Sequence, residues 1–437
     1  MSDETPRPAT EPGDPADRPE GATARTGGTP AAGPQDGPIE TRTRELLREV
    51  LSGSWLVSLL AIVLALLAGA VLIAVADSDV QEAAGYFFAR PADTLEAVWN
   101  AVYAAYEALF RGAVYDFRAD SPTRAIRPVT ETLTFATPLI LAGLGLAVAF
   151  RAGLLNIGGQ GQIILGAVFG AFIGFSADLP VVLHVTLAAL GAALGGAIWA
   201  GIAGVLKAKT GANEVIVTIM LNNIGLYLVA YLLTTQAFRV PGSPNPISPQ
   251  IPTETAAYPL LLEAPFRLHA GFLLAILATG AVWWLLDRST TGFEIRAAGA
   301  NPHAARTAGI SVDRVVILTM VVSGALCGLA GSAQVLGTEH VLTGGVAASY
   351  GFDAITVALL GRSKPVGTFL AGVLFGALRA GGVLMQSETS IDIILVVQSI
   401  IVLLIAAPPL VRSVFRLPSP DARPRRRAGA ATTEVTA

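Results

Sequence analysis

Asn156-Ile157-Gly158-Gly159-Gln160-Gly161-Gln162 puts three amides and three glycines into seven residues, directly ahead of an apolar run that begins at Ile163. Amides break no bonds unaided. They donate and accept hydrogen bonds without charge, so Asn156, Gln160 and Gln162 suit neutral hydroxyls and ring nitrogens. Such binding avoids the desolvation cost of a full charge. Seven such residues do not make a stable helix in lipid. They suit a broken helix whose free backbone groups line a cavity, although a plain loop fits the same residues.

A second cluster runs Asn213-Glu214, Thr218, Asn222, Asn223. Spacings of four and eight put Glu214, Thr218 and Asn222 on one face of a helix that is otherwise Val, Ile, Met and Leu. Polar groups in apolar spans are costly, so this face belongs against the bundle or an inner vestibule. It serves a solute pathway, or it only glues helices together. Asn213 and Glu214, near the inner end, are gate candidates. A third cluster, Tyr350-Gly351-Phe352-Asp353, follows Gly344 and Gly345, and Asp353 joins the pathway candidates. Arg379 lies in an apolar span, where a long stem lets it snorkel. His184 and Gln398 read as packing residues.

Other chemistry is missing. There is no GxxxxGK[ST] and not even a Gly-Lys pair, so a P-loop cradle for ATP is excluded. HExxH and GxSxG are absent, and the single cysteine, Cys327, excludes an intrachain disulfide or a CxxC metal site. A transporter without its own engine takes energy from an ion gradient or from a separate ATPase.

The elements that position these groups follow from composition. Of 437 residues, 53% are hydrophobic and only 14% charged, with a net charge of −3. Soluble chains carry about 25% charged residues, so lipid is the solvent, and no basic stripe suggests nucleic acid. A helix crosses the roughly 30 Å hydrocarbon core with about 20 residues. Apolar runs occur at Trp55–Ala76, Leu133–Phe150, Ile163–Phe175, Pro180–Leu206, Val215–Leu233, Gly271–Leu286, Val315–Leu336, Ile355–Leu360, Val366–Val383 and Ile391–Leu410. The expected fold is therefore an all-α polytopic membrane protein of about ten helices.

Two runs, the third and the eighth, are short and Gly-interrupted. They occupy matching positions in two five-helix halves of opposite topology, which points to a transport path. Arginine and lysine bias puts Arg151, Lys207, Lys209, Arg288–Arg314, Arg362, Lys364 and both termini in the cytoplasm. Residues 1–41 are a disordered cytoplasmic tail, 42–412 the transmembrane domain, and 413–437 a disordered basic cytoplasmic tail. Thr94–Phe110 has the apolar spacing of an amphipathic outer helix, with Asp93 and Glu96 as a capping-box variant. Gly166-Gly170-Gly174, Gly191-Gly195, Gly324-Gly328 and Gly372-Gly376 let backbones approach closely in lipid.

The loop at 288–314 includes Gly292-Phe293-Glu294-Ile295-Arg296 and continues to Gly299, Asn301, Pro302, Ala305, Arg306, Gly309 and Ile310. Asn301 as N-cap, Pro302 at the first position and Gly309 as stop predict one short helix of about two turns. A capped helix facing the cytoplasm is a mechanical handle for a partner.

This loop resembles the ATPase-docking loop of ABC importer permeases of the branched-chain amino acid/ribose type. Asn156–Gln162 resembles that family's NIG.(E/Q)GQ motif, with Gly159 where alanine is common. Ala212–Asn222 resembles (T/A)NEV(I/V).T.MLN, followed by Asn223 where an aromatic is frequent. Ala358–Gly367 resembles ALLGR..P.G. The resemblance spans residues 133–410. It implies a non-catalytic permease subunit in a bacterial plasma or inner membrane. It also implies that Glu294, Arg296, Gly299, Asn301, Pro302, Ala305, Arg306 and Gly309 form the docking set.

Within the family, the extra first span and long outer segment look like the larger permease of nucleoside importers. The implied partners are an ABC ATPase that holds ATP and Mg, a second permease and a solute-binding lipoprotein. No cofactor is implied for this chain. The implied solute is nucleoside-like; simple sugars or branched-chain amino acids are the alternative within the family. Outside it stands an ion-coupled secondary transporter with Glu214 or Asp353 as proton carrier.

Overall fold

The computed structural model describes residues 54–387 except 244, together with 395–396, 399–400, 403–404, 407, 410 and 413–416. The expected tail at 1–41, and most of the expected last span and basic tail, lie outside the described residues.

In chain order the helices are α1 (Ser54–Ala76), α2 (Ser78–Ala84), α3 (Pro91–Ala113), α4 (Pro122–Arg151) and α5 (Gly159–Ser176). Next come α6 (Val181–Thr210), α7 (Glu214–Leu232), α8 (Gly271–Arg288), α9 (Thr290–Ala300) and α10 (Pro302–Thr307). The last are α11 (Val312–Gln334), α12 (Tyr350–Leu360) and α13 (Pro365–Met385). A π turn, Val335–Glu339, extends α11. Among the described residues the only strand pairing is one antiparallel bridge, Leu260 to His269. The all-helical fold is as expected.

Proline at the first helical position starts α3, α4, α10 and α13. It lacks the amide hydrogen that would be unpaired there, and its fixed φ already suits a helix. Pro91 corrects the expectation for the outer helix. Arg90 is the N-cap rather than Asp93, so the helix begins three residues before Thr94. Asp93 instead pairs with Arg90 at 3.7 Å.

Seven described helices are long and apolar enough to cross a membrane: α4 to α8, α11 with its π turn, and α13. An eighth is counted if α1 and α2, bent by 73°, form one span. The short apolar run at Ile355–Leu360 belongs to α12, whose 11 residues extend about 16 Å, half the hydrocarbon core.

The core surrounds α4, where residues from Ala136 to Ala149 are all buried. A helix that is apolar on every side needs protein on every side. α11 runs beside it, and the glycine sets explain how closely. A Cβ at Gly324 would strike the Gly196 backbone of α6. One at Gly328 would strike Ala192 of α6, and one at Gly166 would strike Gly328. Gly372 and Gly376 similarly seat α13 on Ile140, Thr132 and Ala136 of α4. Without a hydrophobic drive between helices in lipid, such close backbone contact supplies the packing.

Candidate functional site

The first and second polar clusters interlock. Asn222 of α7 donates from Nδ2 to the Ile157 carbonyl at 2.9 Å, and its Oδ1 accepts from the Gly161 amide at 2.8 Å. Thr218 Oγ1 accepts from the Ile157 amide at 3.4 Å. The orphan backbone groups at the start of α5 are thus met by α7 side chains, as a helix end inside lipid requires. Asn156 and Gln162 complete the knot. Asn156 Nδ2 donates to Ser323 Oγ of α11 at 2.9 Å, and Gln162 Nε2 donates to Asn156 Oδ1 at 3.0 Å. Both side chains are fully buried, with every strong partner inside the protein.

Gln160 does something different. Its Nε2 donates to the Ala348 carbonyl at 2.6 Å, and its Oε1 accepts from the Gly351 amide at 3.0 Å. It therefore caps the N-terminus of α12. Glycines allow the approach: a Cβ on Gly159 would sit 3.1 Å from the Gly351 carbonyl oxygen, and one on Gly351 would strike the Gln160 backbone. Only α12 is short: α5 is a continuous 18-residue helix whose first turn includes the expected break at Gly159–Gln162, and the two helices meet start to start.

Around the start of α12 the third cluster carries charge. Arg379 of α13 pairs with Asp353 at 2.9 Å, with side chains 20% and 28% exposed. Ser349 Oγ donates to Asp353 Oδ2 at 3.0 Å and also accepts from Arg379. The Arg379 guanidinium lies 4.1 Å over the Tyr350 ring. Ser349 and Phe352 are exposed beside this pair. Asn223, by contrast, lies on the outer face of α7. It bonds only within its own helix, to the Ile219 carbonyl at 3.2 Å, among exposed Met220, Tyr227 and Tyr231.

At the other end of α7, Asn213 Oδ1 caps the helix by accepting from the Val215 amide at 2.9 Å. Glu214 pairs with Lys207 of α6 at 2.7 Å. In the sequence Lys207 stands out only as a marker of topology. Seven residues across a turn carry no periodic signal of pairing.

The loop at 288–314 holds two helices where one was expected. α10 has the expected Asn301 cap, whose Oδ1 accepts from His303 and Ala304 amides at 3.0 and 3.1 Å, and Gly309 adopts φ +86°. The addition is α9, capped by Ser289, whose Oγ accepts from the Gly292 amide at 2.9 Å. Ser-Thr-Thr ahead of the Gly-Phe-Glu motif was the available signal. Phe293 is 61% exposed, and Ala305 anchors α10 inward. One guanidinium nitrogen of Arg296 is buried with no partner among the described residues.

Gly299 packs against Arg151 and Ala152, and Gly153, at φ +71°, faces Gly299 in return. Arg151 Nε then donates to the Ser363 carbonyl at 2.9 Å, in the turn after α12. The exposed loop helices are thus linked through the end of α4 to α12. Arg306 and Asp313 pair at 3.7 Å, and Glu294 is half-buried on α9.

On the opposite face, Arg111, Arg118, Arg124, Arg127 and Arg267 line a cavity of about 570 Å³ with Asp116, Asp120 and Glu131. Hydrogen bonding from Arg111 holds the Asp116 carboxyl below the usual range. Among the described residues no group of three or more His, Cys, Asp or Glu side chains could hold a metal ion.

Residues 129–406 match the family described as branched-chain amino acid transport system / permease component. The chain is 36% identical over 371 residues to the guanosine ABC transporter permease protein NupP of Bacillus subtilis, covering 82% of this chain and 95% of that one. It is 34% identical to the glucose ABC transporter permease protein TsgB13 of Haloferax volcanii, over 63% of this chain and 75% of that one. It is also 34% identical to the nucleoside ABC transporter permease protein NupB of Lactococcus lactis, over 64% and 79%. No solved structure matches.

Proposed function

The chain belongs to the permease family of branched-chain amino acid transport systems, and from that premise we propose that it is the membrane subunit of an ATP-driven nucleoside importer. The subunit moves a solute across the membrane and performs no covalent chemistry. A separate ATPase holds ATP and Mg, and an extracytoplasmic lipoprotein delivers the solute. The loop geometry supports this reading best: two capped helices, with an exposed Phe293 and an Arg296 guanidinium nitrogen that lacks a partner among the described residues, stand ready for a partner and connect inward through Arg151 and Ser363.

The proposed topology has ten crossings. One half holds α1 and α4–α7; the other holds α8, α11–α13 and the span at 391–410. The start-to-start meeting of α5 and α12 at Gly159 and Gly351 supports this inverted pairing. In this proposed topology α9, α10 and both termini are cytoplasmic. We assign the pathway to the polar groups that remain partly open: Gln160, Asp353 with Arg379, and Asn223. Asn156, Gln162, Thr218 and Asn222 act as its scaffold. Asn223 lies on an exposed helix face, where lipid would leave it poorly solvated, so we place the second permease against α7. Glu214 and Lys207 form the inner gate.

The test is uptake by the complete importer in proteoliposomes. Arg296→Glu abolishes ATP-dependent uptake of labelled nucleoside, while a proton ionophore leaves the unmodified importer working. Uptake that survives Arg296→Glu but stops with the ionophore overturns the ATPase reading in favour of ion coupling. Uptake of glucose in place of nucleoside overturns the solute assignment alone.

A further inference from the structure

A groove opens between the last turn of α6 and the first turns of α11. Lys209, Ser311, Asp313, Arg314, Ile317, Leu318 and Val321 line a cavity of about 460 Å³ there, with Ser311 at the rim. Its rim is basic. Lys209 and Arg314 are both exposed, and neither has a carboxylate partner among the described residues. Asp313, the acid on the rim, is engaged by Arg306 at 3.7 Å. Below the rim the lining is wholly apolar: Ile317, Leu318 and Val321. On α6 the apolar surface continues away from the rim through exposed Leu206, Val205 and Ile202.

Two cations above an apolar wall are complementary to an amphiphile. A soluble anion would satisfy Lys209 and Arg314 but leave the wall wet. A neutral lipid would cover the wall but leave the cations without a counter-charge. Basic pockets between helices at the cytoplasmic boundary attract anionic head groups at about 1 kcal/mol per cation. We propose that this groove binds one anionic phospholipid, with the phosphate between Lys209 and Arg314 and an acyl chain along Ile317, Leu318 and Val321. Its assignment to the cytoplasmic leaflet rests on the orientation proposed above; the binding itself does not. The site adjoins the Arg306–Asp313 pair that ties α10 to α11, so the lipid steadies the helix offered to the ATPase.

Native mass spectrometry of the full importer tests this, with phosphatidylglycerol or phosphatidylcholine titrated into neutral detergent. One phosphatidylglycerol per copy of this chain is retained in preference to phosphatidylcholine. Lys209→Gln and Arg314→Gln each weaken retention about fivefold, and together about thirtyfold, while Lys209→Arg keeps it. Equal retention of the two lipids, or an unchanged double variant, overturns the proposal. Competition by glycerol 3-phosphate as strong as by phosphatidylglycerol overturns it in favour of a soluble anion. No transported solute is present, so this outcome stands apart from that of the uptake assay.

Discussion

The starts of α5 and α12 touch each other, yet they are held in opposite ways. The start of α5 is buried and tied by Asn156, Gln162, Thr218 and Asn222, with Ser323 as an outside anchor. The start of α12 is held by one borrowed amide, Gln160, and by a partly exposed ion pair. Its approach is open. A Cβ at Gly344 or Gly345 would meet nothing within 4 Å, and Ala348 takes φ +39°, a conformation few non-glycine residues adopt. Neutral amides in a closed network form a fixed seat, whereas charge and open loop suit a part that shifts. On that contrast we expect α5 to stay fixed and α12 to be the part that shifts.

Six substitutions bear on that contrast. Gly351→Ala has the largest expected effect, because the new methyl would strike the Gln160 backbone as well as its side-chain oxygen. A loss of about 3 kcal/mol is expected in thermal unfolding of the purified protein, against about 0.5 kcal/mol or less for Gly345→Ala. Equal effects would remove the claimed contact between the two starts. Asn222→Ala comes next. It leaves the Ile157 carbonyl and the Gly161 amide buried without partners, a cost of about 2 kcal/mol. Asn223→Ala, one residue along, should barely alter unfolding and should reduce uptake. If Asn223→Ala proved the more destabilising, the division between scaffold and pathway would fail.

A modest effect on stability is expected at the charged pair. Asp353→Asn with Arg379→Gln in a double-mutant cycle should give a coupling of about 1 kcal/mol or less, since both side chains are partly exposed. Transport should suffer more than stability. Unfolding losses as large as those at Asn222 would make α12 as rigid as α5.

Much of this was legible in the chain. Apolar runs located most of the described spans to within about five residues, because lipid imposes length and composition directly; α4 is the exception, beginning at Pro122 rather than near Leu133. The Asn301–Pro302 cap and the Gly309 stop were read correctly, because capping is local. The polar clusters were also visible, but not their partners. Ser323 is 167 residues from Asn156, and Gly351 is 191 from Gln160, so no periodicity connects them. Gly351 reads simply as a helix breaker until a second helix is seen against it. The amide list also mixed two kinds of residue. Asn222 and Asn223 are adjacent and chemically identical, and only the rotation of α7 sends one into the bundle and the other out. Lys207 and Arg151 were hidden by their usefulness as charge markers.

The position of α11 also bears on how the protein is made. Gly196, Ala192 and Gly166 lie against Gly324 and Gly328, yet α6 ends at Thr210 and α11 runs to Gln334. At roughly 5–20 residues per second, the ribosome needs on the order of ten seconds to supply the missing partner. Through that interval the small-residue face of α6 waits without its partner. Assembly of the first half is therefore tied to translation of the second, and slow codons between residues 211 and 334 would lengthen the wait.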